Sequence, residues 1–82
     1  MTYEIEFKPR ALKDIEALPT DRRRRILARI EMLASDLAGD VKRLTEFTPE
    51  FRLRVGDYRV LFEVEGSAAV IYRVLHRKDA YR

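Results

Sequence analysis

The strongest chemical signal in the chain is a set of arginines in an alternating stretch. Arg52, Arg54 and Arg59 lie within residues 51–62, on either side of Gly56-Asp57. If Gly56-Asp57 is a two-residue hairpin loop, Val55 faces Tyr58, Arg54 faces Arg59, Leu53 faces Val60, Arg52 faces Leu61 and Phe51 faces Phe62. Successive side chains of a strand point to opposite faces. One face then carries Phe51, Leu53, Val55, Tyr58, Val60 and Phe62 and is wholly apolar. The other carries Arg52, Arg54 and Arg59 with Leu61 and Glu63. Like charges directly opposite one another destabilise a sheet, and arginine keeps its charge at any physiological pH. In this register the nearby acid on that face is Glu63, about two pairs from Arg59. The expectation is an uncompensated cationic patch suited to a phosphate-bearing ligand. The competing structural reading is a solvated outer face whose arginine stems cover apolar surface. An acidic partner element is a second structural explanation.

Two further groups carry chemistry. His76-Arg77-Lys78-Asp79-Ala80-Tyr81-Arg82 joins an imidazole, three cations and a phenol at the C-terminus. Histidine is the side chain that exchanges protons near neutrality. The bland alternative is a basic tail, in which Tyr81 either stays loose or packs back onto the body. Earlier, Arg22, Arg25 and Arg29 line up at i, i+3 and i+7 within a run of arginines and can meet phosphates. A solvated helix face is the ordinary reading of such a run, and Glu31 and Asp36 dilute it.

The elements that must position these groups follow from periodicity. Tyr3, Ile5 and Phe7 alternate with Glu4 and Glu6, which predicts a short strand over 2–7. Pro9 opens a helix over 9–18 with Ala11, Leu12, Ile15 and Leu18 at helical spacing. Pro19-Thr20 breaks it, and Thr20 is a candidate cap for the next helix. There Ile26, Ile30, Leu33 and Leu37 form a stripe, widened by Leu27 and Ala34, with Gly39 as the stop. The period then changes to two. A strand is possible over 43–47, and stronger ones are expected over 51–55, 58–64 and 69–75, with Gly56-Asp57 and Glu65-Gly66 at the bends. The order strand, helix pair, meander predicts an α+β fold with two N-terminal helices packed on one face of an antiparallel β-sheet.

Composition sets the limits. The 82 residues predict one domain, residues 1–82, and the 46% hydrophobic content is enough for a small core. A chain this short buries only about 60% of its unfolded surface, so its stability is marginal without a partner. Without cysteine and with one histidine, thiolate and His-rich metal sites are excluded. No apolar run approaches a membrane span and no secretory h-region opens the chain, so the expected compartment is the cytoplasm, with no membrane partner. Lys+Arg total 17 against 14 Asp+Glu, a net charge of +3 and a mild bias towards polyanions.

The segment Phe51-Arg52-Leu53-Arg54-Val55-Gly56-Asp57-Tyr58-Arg59-Val60-Leu61-Phe62, followed by His76-Arg77-Lys78-Asp79-Ala80-Tyr81, resembles the RelE/ParE toxin superfamily, and its RelE-like branch in particular. Phe7, Ala11, Leu12, Leu18 and Leu44 fit the same pattern, so the resemblance runs over nearly the whole chain. It implies the fold read above. It also implies the toxin of a type II toxin–antitoxin system, a ribosome-dependent mRNA endonuclease that inhibits translation. In such enzymes the 2′-hydroxyl of mRNA in the ribosomal A site attacks the adjacent phosphate, with no metal or other cofactor.

Carried over by position, the resemblance implies that Arg52 and Arg54 hold the mRNA backbone and the attacking geometry. Arg59 and Arg77 then stabilise the phosphorane. Tyr81 stacks on a splayed base or positions the 2′-hydroxyl. Some relatives carry lysine where this chain has Arg52 and Arg54. Arginine is a poor general base, which leaves His76, Glu46 or Glu63 as candidates, with His76 first on proton-exchange grounds. The implied partners are a cognate RelB-like antitoxin, the ribosome with its mRNA, and operator DNA only through the antitoxin complex. Two alternatives stay open: a ParE-like DNA gyrase poison without nuclease activity, and an inactive member that only binds a partner.

Overall fold

The period-two half of the chain forms an antiparallel meander in the register that the Gly56-Asp57 turn dictates. In the computed structural model, which describes residues 1–46 and 48–80, β3 (Phe51–Val55) and β4 (Tyr58–Glu65) pair with Val55 opposite Tyr58, Arg54 opposite Arg59 and Phe51 opposite Phe62. The next hairpin joins β4 to β5 (Ala68–His76) through Gly66-Ser67, one residue later than the Glu65-Gly66 bend read from sequence. A register shift between Leu61 and Phe62 leaves Tyr72 as the extra residue on β5.

The remaining strands lie at the two edges. β1 (Glu4–Phe7) lies beside β5, and β2 (Val41–Arg43) lies beside β3, giving the order β1-β5-β4-β3-β2. The α+β class with two N-terminal helices on the sheet stands, but the sheet is mixed: β1 runs parallel to β5. The pairing uses the outer edge of β5 at Ala68 to Ile71 while burying Ile5 and Phe7 towards the core. The strand expected over 43–47 is also corrected. The edge strand is Val41–Arg43, because Val41 opposite Leu53 supplies the inward apolar contact, and the chain then turns towards Pro49.

α1 (Pro9–Glu16) starts at Pro9 as expected and lies over β5, while α2 (Thr20–Met32) crosses β3. Pro19, not Thr20, takes the cap position of α2, without a side-chain hydrogen bond. The helical stripe was expected to run on to Gly39, yet α2 ends at Met32. Beyond it the helix tightens, with Ala34 N donating to Glu31 O and Ser35 N to Met32 O, and the N-terminal segment docks there: Tyr3 N donates to Ala34 O, and Asp36 N donates to Met1 O. Asp36 and Leu37 follow with positive φ.

One core joins the layers. Ala11 and Ile15 of α1 and Ile26, Ile30 and Leu33 from α2 and its end pack on Leu53, Val55, Val60, Phe62, Ala69, Ile71 and Val74. Phe62, fully buried, stacks on Phe51 with centroids 5.4 Å apart. The apolar hairpin face is therefore the one the helices cover, and the arginine face points away from them. Among the described residues no helix is long and apolar enough to cross a membrane.

Candidate nucleic-acid interface

The helix-free face of the sheet collects cations in cross-strand rows. One row runs Lys42, Arg52, Leu61, Arg73 across β2 to β5, and the next carries Arg54 and Arg59 with Leu75. Leu61 is buried although it lies on this outer face. It sits between Arg52 and Arg73, whose aliphatic stems account for its cover. The arginine face thus has a structural role as well as a charge.

The expectation of an uncompensated patch is corrected in part. Asp40 lies at the edge of this face and binds two of the three arginines. Arg54 Nε stands 2.9 Å from Asp40 Oδ2, and Arg52 Nη1 stands 3.3 Å from Oδ1. Arg52 Nη1 also donates to the Asp40 carbonyl at 2.9 Å, and Arg54 N donates to the same oxygen. Arg59 is different. Its Nη1 donates to the carbonyl oxygens of Gly56 and Tyr58, at 2.9 and 3.0 Å, which fix its place without neutralising it. Among the described residues Lys42, Arg52, Arg54 and Arg59 meet one ion-paired carboxylate, that of Asp40, and the Glu63 carboxylate of the same face is engaged by Glu50 N, so the face stays positive.

A strand over 43–47 leaves Asp40 outside the sheet, so the sequence expectation does not include it. With Val41 opposite Leu53 and Lys42 opposite Arg52, one further step of the same antiparallel register sets residue 40 opposite Arg54. The period-two pattern of Asp40-Val41-Lys42, with the apolar residue in the middle, was the available signal.

The other candidates fall in different places. Arg77 is exposed beside the hairpin turn, its Nε 3.8 Å from Asp57 Oδ1, and its N–H donates to Asp57 O. It therefore neighbours Arg59 through the turn. His76 pairs with Tyr58 across β4 and β5 and packs edge-on against it, with ring centroids 5.6 Å apart. Since Tyr58 belongs to the apolar face, His76 lies on the helix side of the sheet, opposite Arg54 and Arg59. Its Nδ1 accepts a hydrogen bond from Lys78 N at 3.2 Å. Glu63 accepts from Glu50 N at 2.7 Å, so it serves the loop before β3. Glu46 borders a separate cavity of about 400 Å³ with Arg43, Leu44, Thr45 and Glu50. Tyr81 lies outside the described residues.

Two arginines that the sequence leaves undistinguished are structural. Arg23 donates to the carbonyls of Ile15, Glu16 and Leu18, closing the end of α1. Arg73 forms a two-pronged pair with Asp14, with Nε to Oδ2 at 2.7 Å and Nη2 to Oδ1 at 3.2 Å. That hydrogen bond raises the guanidinium pKa further, against a smaller lowering from burial.

The whole chain can be placed among known proteins. A family model described as the ParE toxin of the type II toxin–antitoxin system parDE matches residues 5–81. Toxin RelE3 of Methanocaldococcus jannaschii is 35% identical, over 95% of this chain and 94% of its own length. Toxin RelG of Mycobacterium tuberculosis is 36% identical, over 100% of this chain and 99% of its own. A chain in the crystal structure of the RelB-RelE antitoxin-toxin complex from Methanococcus jannaschii superposes with a TM-score of 0.76 at 34% identity, covering 93% of this chain and 94% of that one. With the fold, the register of the arginine hairpin and these matches in agreement, the chain belongs to the RelE/ParE family of toxins of type II toxin–antitoxin systems.

Proposed function

We propose that this toxin is a ribosome-dependent endoribonuclease that cuts mRNA in the A site and is restrained by a RelB-like antitoxin. The observation that carries the reading is the cationic face on which Arg54 stands opposite Arg59 with a single carboxylate, Asp40, between the arginines of β3. A pair of like charges is kept at a cost, and a phosphodiester is the ligand that relieves it. The RelE names of the full-length relatives favour this reading over a gyrase poison.

In the proposed reaction the 2′-oxygen forms a bond to the adjacent phosphorus, and the bond to the 5′-oxygen of the next nucleotide breaks. The 2′-hydroxyl loses its proton and the departing 5′-oxygen gains one. Arg59 is suited to the phosphorane because backbone carbonyls hold its guanidinium in place before substrate arrives. Arg77, beside the same turn, adds a second charge. Arg52 and Arg54 hold the RNA backbone. Tyr81 stacks on a base next to the cut. His76 lies across the sheet from these arginines, so it can take the 2′-hydroxyl proton only round the end of β5. Electrostatic stabilisation then carries most of the rate, and base catalysis little.

One solved relative is in a complex with RelB. For this chain an antitoxin segment rich in carboxylates fits the same face, where it can outcompete Asp40 for Arg52 and Arg54. Contact with operator DNA then comes only through that complex.

Primer extension on mRNA from cells expressing the wild type and Arg59→Ala tests the proposal. Cuts within translated message from the wild type, and none from a folded Arg59→Ala protein, are expected. Intact message together with accumulated gyrase–DNA cleavage complexes assigns the gyrase-poison role instead. Intact message without growth arrest leaves only a partner-binding domain.

A further inference from the structure

On the helix side of the β3–β4 turn, Arg22, Arg25 and Ile26 of α2 meet Gly56, Asp57 and Tyr58 around a cavity of about 210 Å³. The Arg25 guanidinium lies against the turn: a Cβ on Gly56 would stand 3.6 Å from its Nη1. Gly56 has a φ of +57°, so a glycine suits both the turn and this close approach. Among the described residues neither Arg22 nor Arg25 has an ion-pair or hydrogen-bond partner. Arg23 between them is tied to the end of α1. The acid at the cavity, Asp57, is the one that faces Arg77. The cavity therefore offers two free guanidinium groups, an apolar floor at Ile26 and an aromatic ring at Tyr58.

Its position gives it meaning. The turn that walls the cavity also supplies the two carbonyls that hold Arg59, and Asp57 of that turn faces Arg77. A chain of phosphates lying on Arg59 and Arg77 needs only to pass round the hairpin tip to reach Arg22 and Arg25. We propose that this cavity is a second RNA site, in which Arg22 and Arg25 hold the phosphate of a nucleotide flanking the cleaved step while its base packs on Tyr58. The inference rests on the ribonuclease reading and extends it. An anion alone would satisfy the guanidinium pair, but a nucleotide also uses the aromatic wall. An acidic protein segment, which matches only the charges, is the less complete fit.

The test uses the full chain and a short single-stranded RNA labelled for fluorescence anisotropy, titrated over a series of salt concentrations. Arg22→Ala/Arg25→Ala is compared with wild type, with Arg25→Lys, and with Arg24→Ala, an exposed change on the same helix outside the cavity. The double variant is expected to bind several-fold more weakly, with a salt slope shallower by about 0.7 for the one phosphate lost. Arg25→Lys is expected to keep the slope, and Arg24→Ala to match wild type. On translating ribosomes the double variant is expected to raise KM rather than lower kcat. RNA affinity and slope unchanged in the double variant overturn the proposal. So does a loss confined to binding of an acidic protein partner, which assigns the cavity to that partner. If wild type cuts no mRNA yet the RNA slope still falls in the double variant, the ribonuclease reading fails and the RNA site stands.

Discussion

Arg54 and Arg59 face each other across the β3–β4 ladder, yet their counter-charges are unequal: Arg54 Nε lies 2.9 Å from a carboxylate oxygen of Asp40, while among the described residues Arg59 Nη1 meets carbonyl oxygens alone. The asymmetry separates two tasks. Asp40 offsets the repulsion and orients the arginines of β3. The Gly56 and Tyr58 carbonyls orient Arg59 while leaving its full charge for an incoming anion. A face built this way is ordered before ligand arrives, which is what electrostatic stabilisation of a transient phosphorane requires.

Asp40→Asn separates charge from structure at this face. The Asp40 carbonyl still accepts from Arg52 Nη1 and Arg54 N after the change. The ion pairs lost are partly exposed, so the stability cost is at most about 1 kcal/mol. Removing the carboxylate leaves Arg52 and Arg54 without an acid, so affinity for single-stranded RNA rises a few-fold. Anisotropy titrations at low and moderate salt check this. Weaker RNA binding by a folded Asp40→Asn protein means that the carboxylate orients the arginines more than it competes with phosphate.

The hairpin was readable from sequence because its register depends only on a short turn and an unbroken alternation. Once Gly56-Asp57 is the loop, every partner from Arg54–Arg59 to Phe51–Phe62 follows. The edges were not readable, because partners distant in sequence decide them. Val41–Arg43 is a strand because Leu53 is available to Val41, and after Met32 the chain tightens into turns whose Ala34 carbonyl and Asp36 N–H are taken by Tyr3 and Met1. The error at the edge carried over into the site, since Asp40 belongs to that edge. His76 is the first candidate for the general base on proton-exchange grounds, which carry no information about the face it lies on. Pairing with Tyr58 places it on the other side of the sheet.

Gly39→Ala is expected to destabilise more than Gly56→Ala. Gly39 has a φ of +125°, and a Cβ there would stand 2.8 Å from Leu53 Cδ1, a side chain that is 1% exposed and held in the core. Backbone strain and displacement of Leu53 add, for about 2–3 kcal/mol in all. At Gly56 the φ of +57° costs about 1 kcal/mol and the contact with Arg25 is an ordinary one. In urea unfolding, the Gly39 variant should lose at least twice as much stability. Equal losses refute a role for the Leu53 contact.

Tyr72 is expected to titrate above the ordinary tyrosine value of 10.0. Its hydroxyl donates to Glu65 Oε2 at 3.0 Å, and this bond is the largest cause of the rise, followed by desolvation and the charges of Glu65 and Glu63. A raised pKa favours the protonated phenol in the folded state. The associated stability is therefore complete below pH 10 and is lost as pH rises through the folded-state value. Absorbance titration of wild type and Glu65→Ala checks it: the substitution should lower the Tyr72 midpoint towards 10. A midpoint that does not move removes the hydrogen bond as the cause.

Asp14→Ala should be among the most damaging single changes outside the apolar core. Asp14 Oδ2 accepts from Arg73 Nε at 2.7 Å and from Val74 N at 3.0 Å, while Oδ1 accepts from Arg73 Nη2. β1 pairs with β5 only as far as Ile71, so this carboxylate completes the edge of β5 beyond it and fastens α1 to the sheet. Alanine leaves a part-buried N–H and a part-buried guanidinium without their acceptor, at a cost of about 2–3 kcal/mol. Asn keeps one acceptor for Val74 N but loses the charge, and should fall between alanine and wild type. The raised Arg73 pKa predicts no pH dependence from that side. The contribution is complete wherever arginine is ordinarily protonated and fades only as pH climbs through the raised folded-state value, so the Asp14→Ala loss should be constant from about pH 6 to 9. Denaturant melts of the variants across that range measure both quantities. A loss below about 0.5 kcal/mol, or one that vanishes in Asp14→Asn, shows that α1 is held by Ala11 and Ile15 in the core and not by this carboxylate.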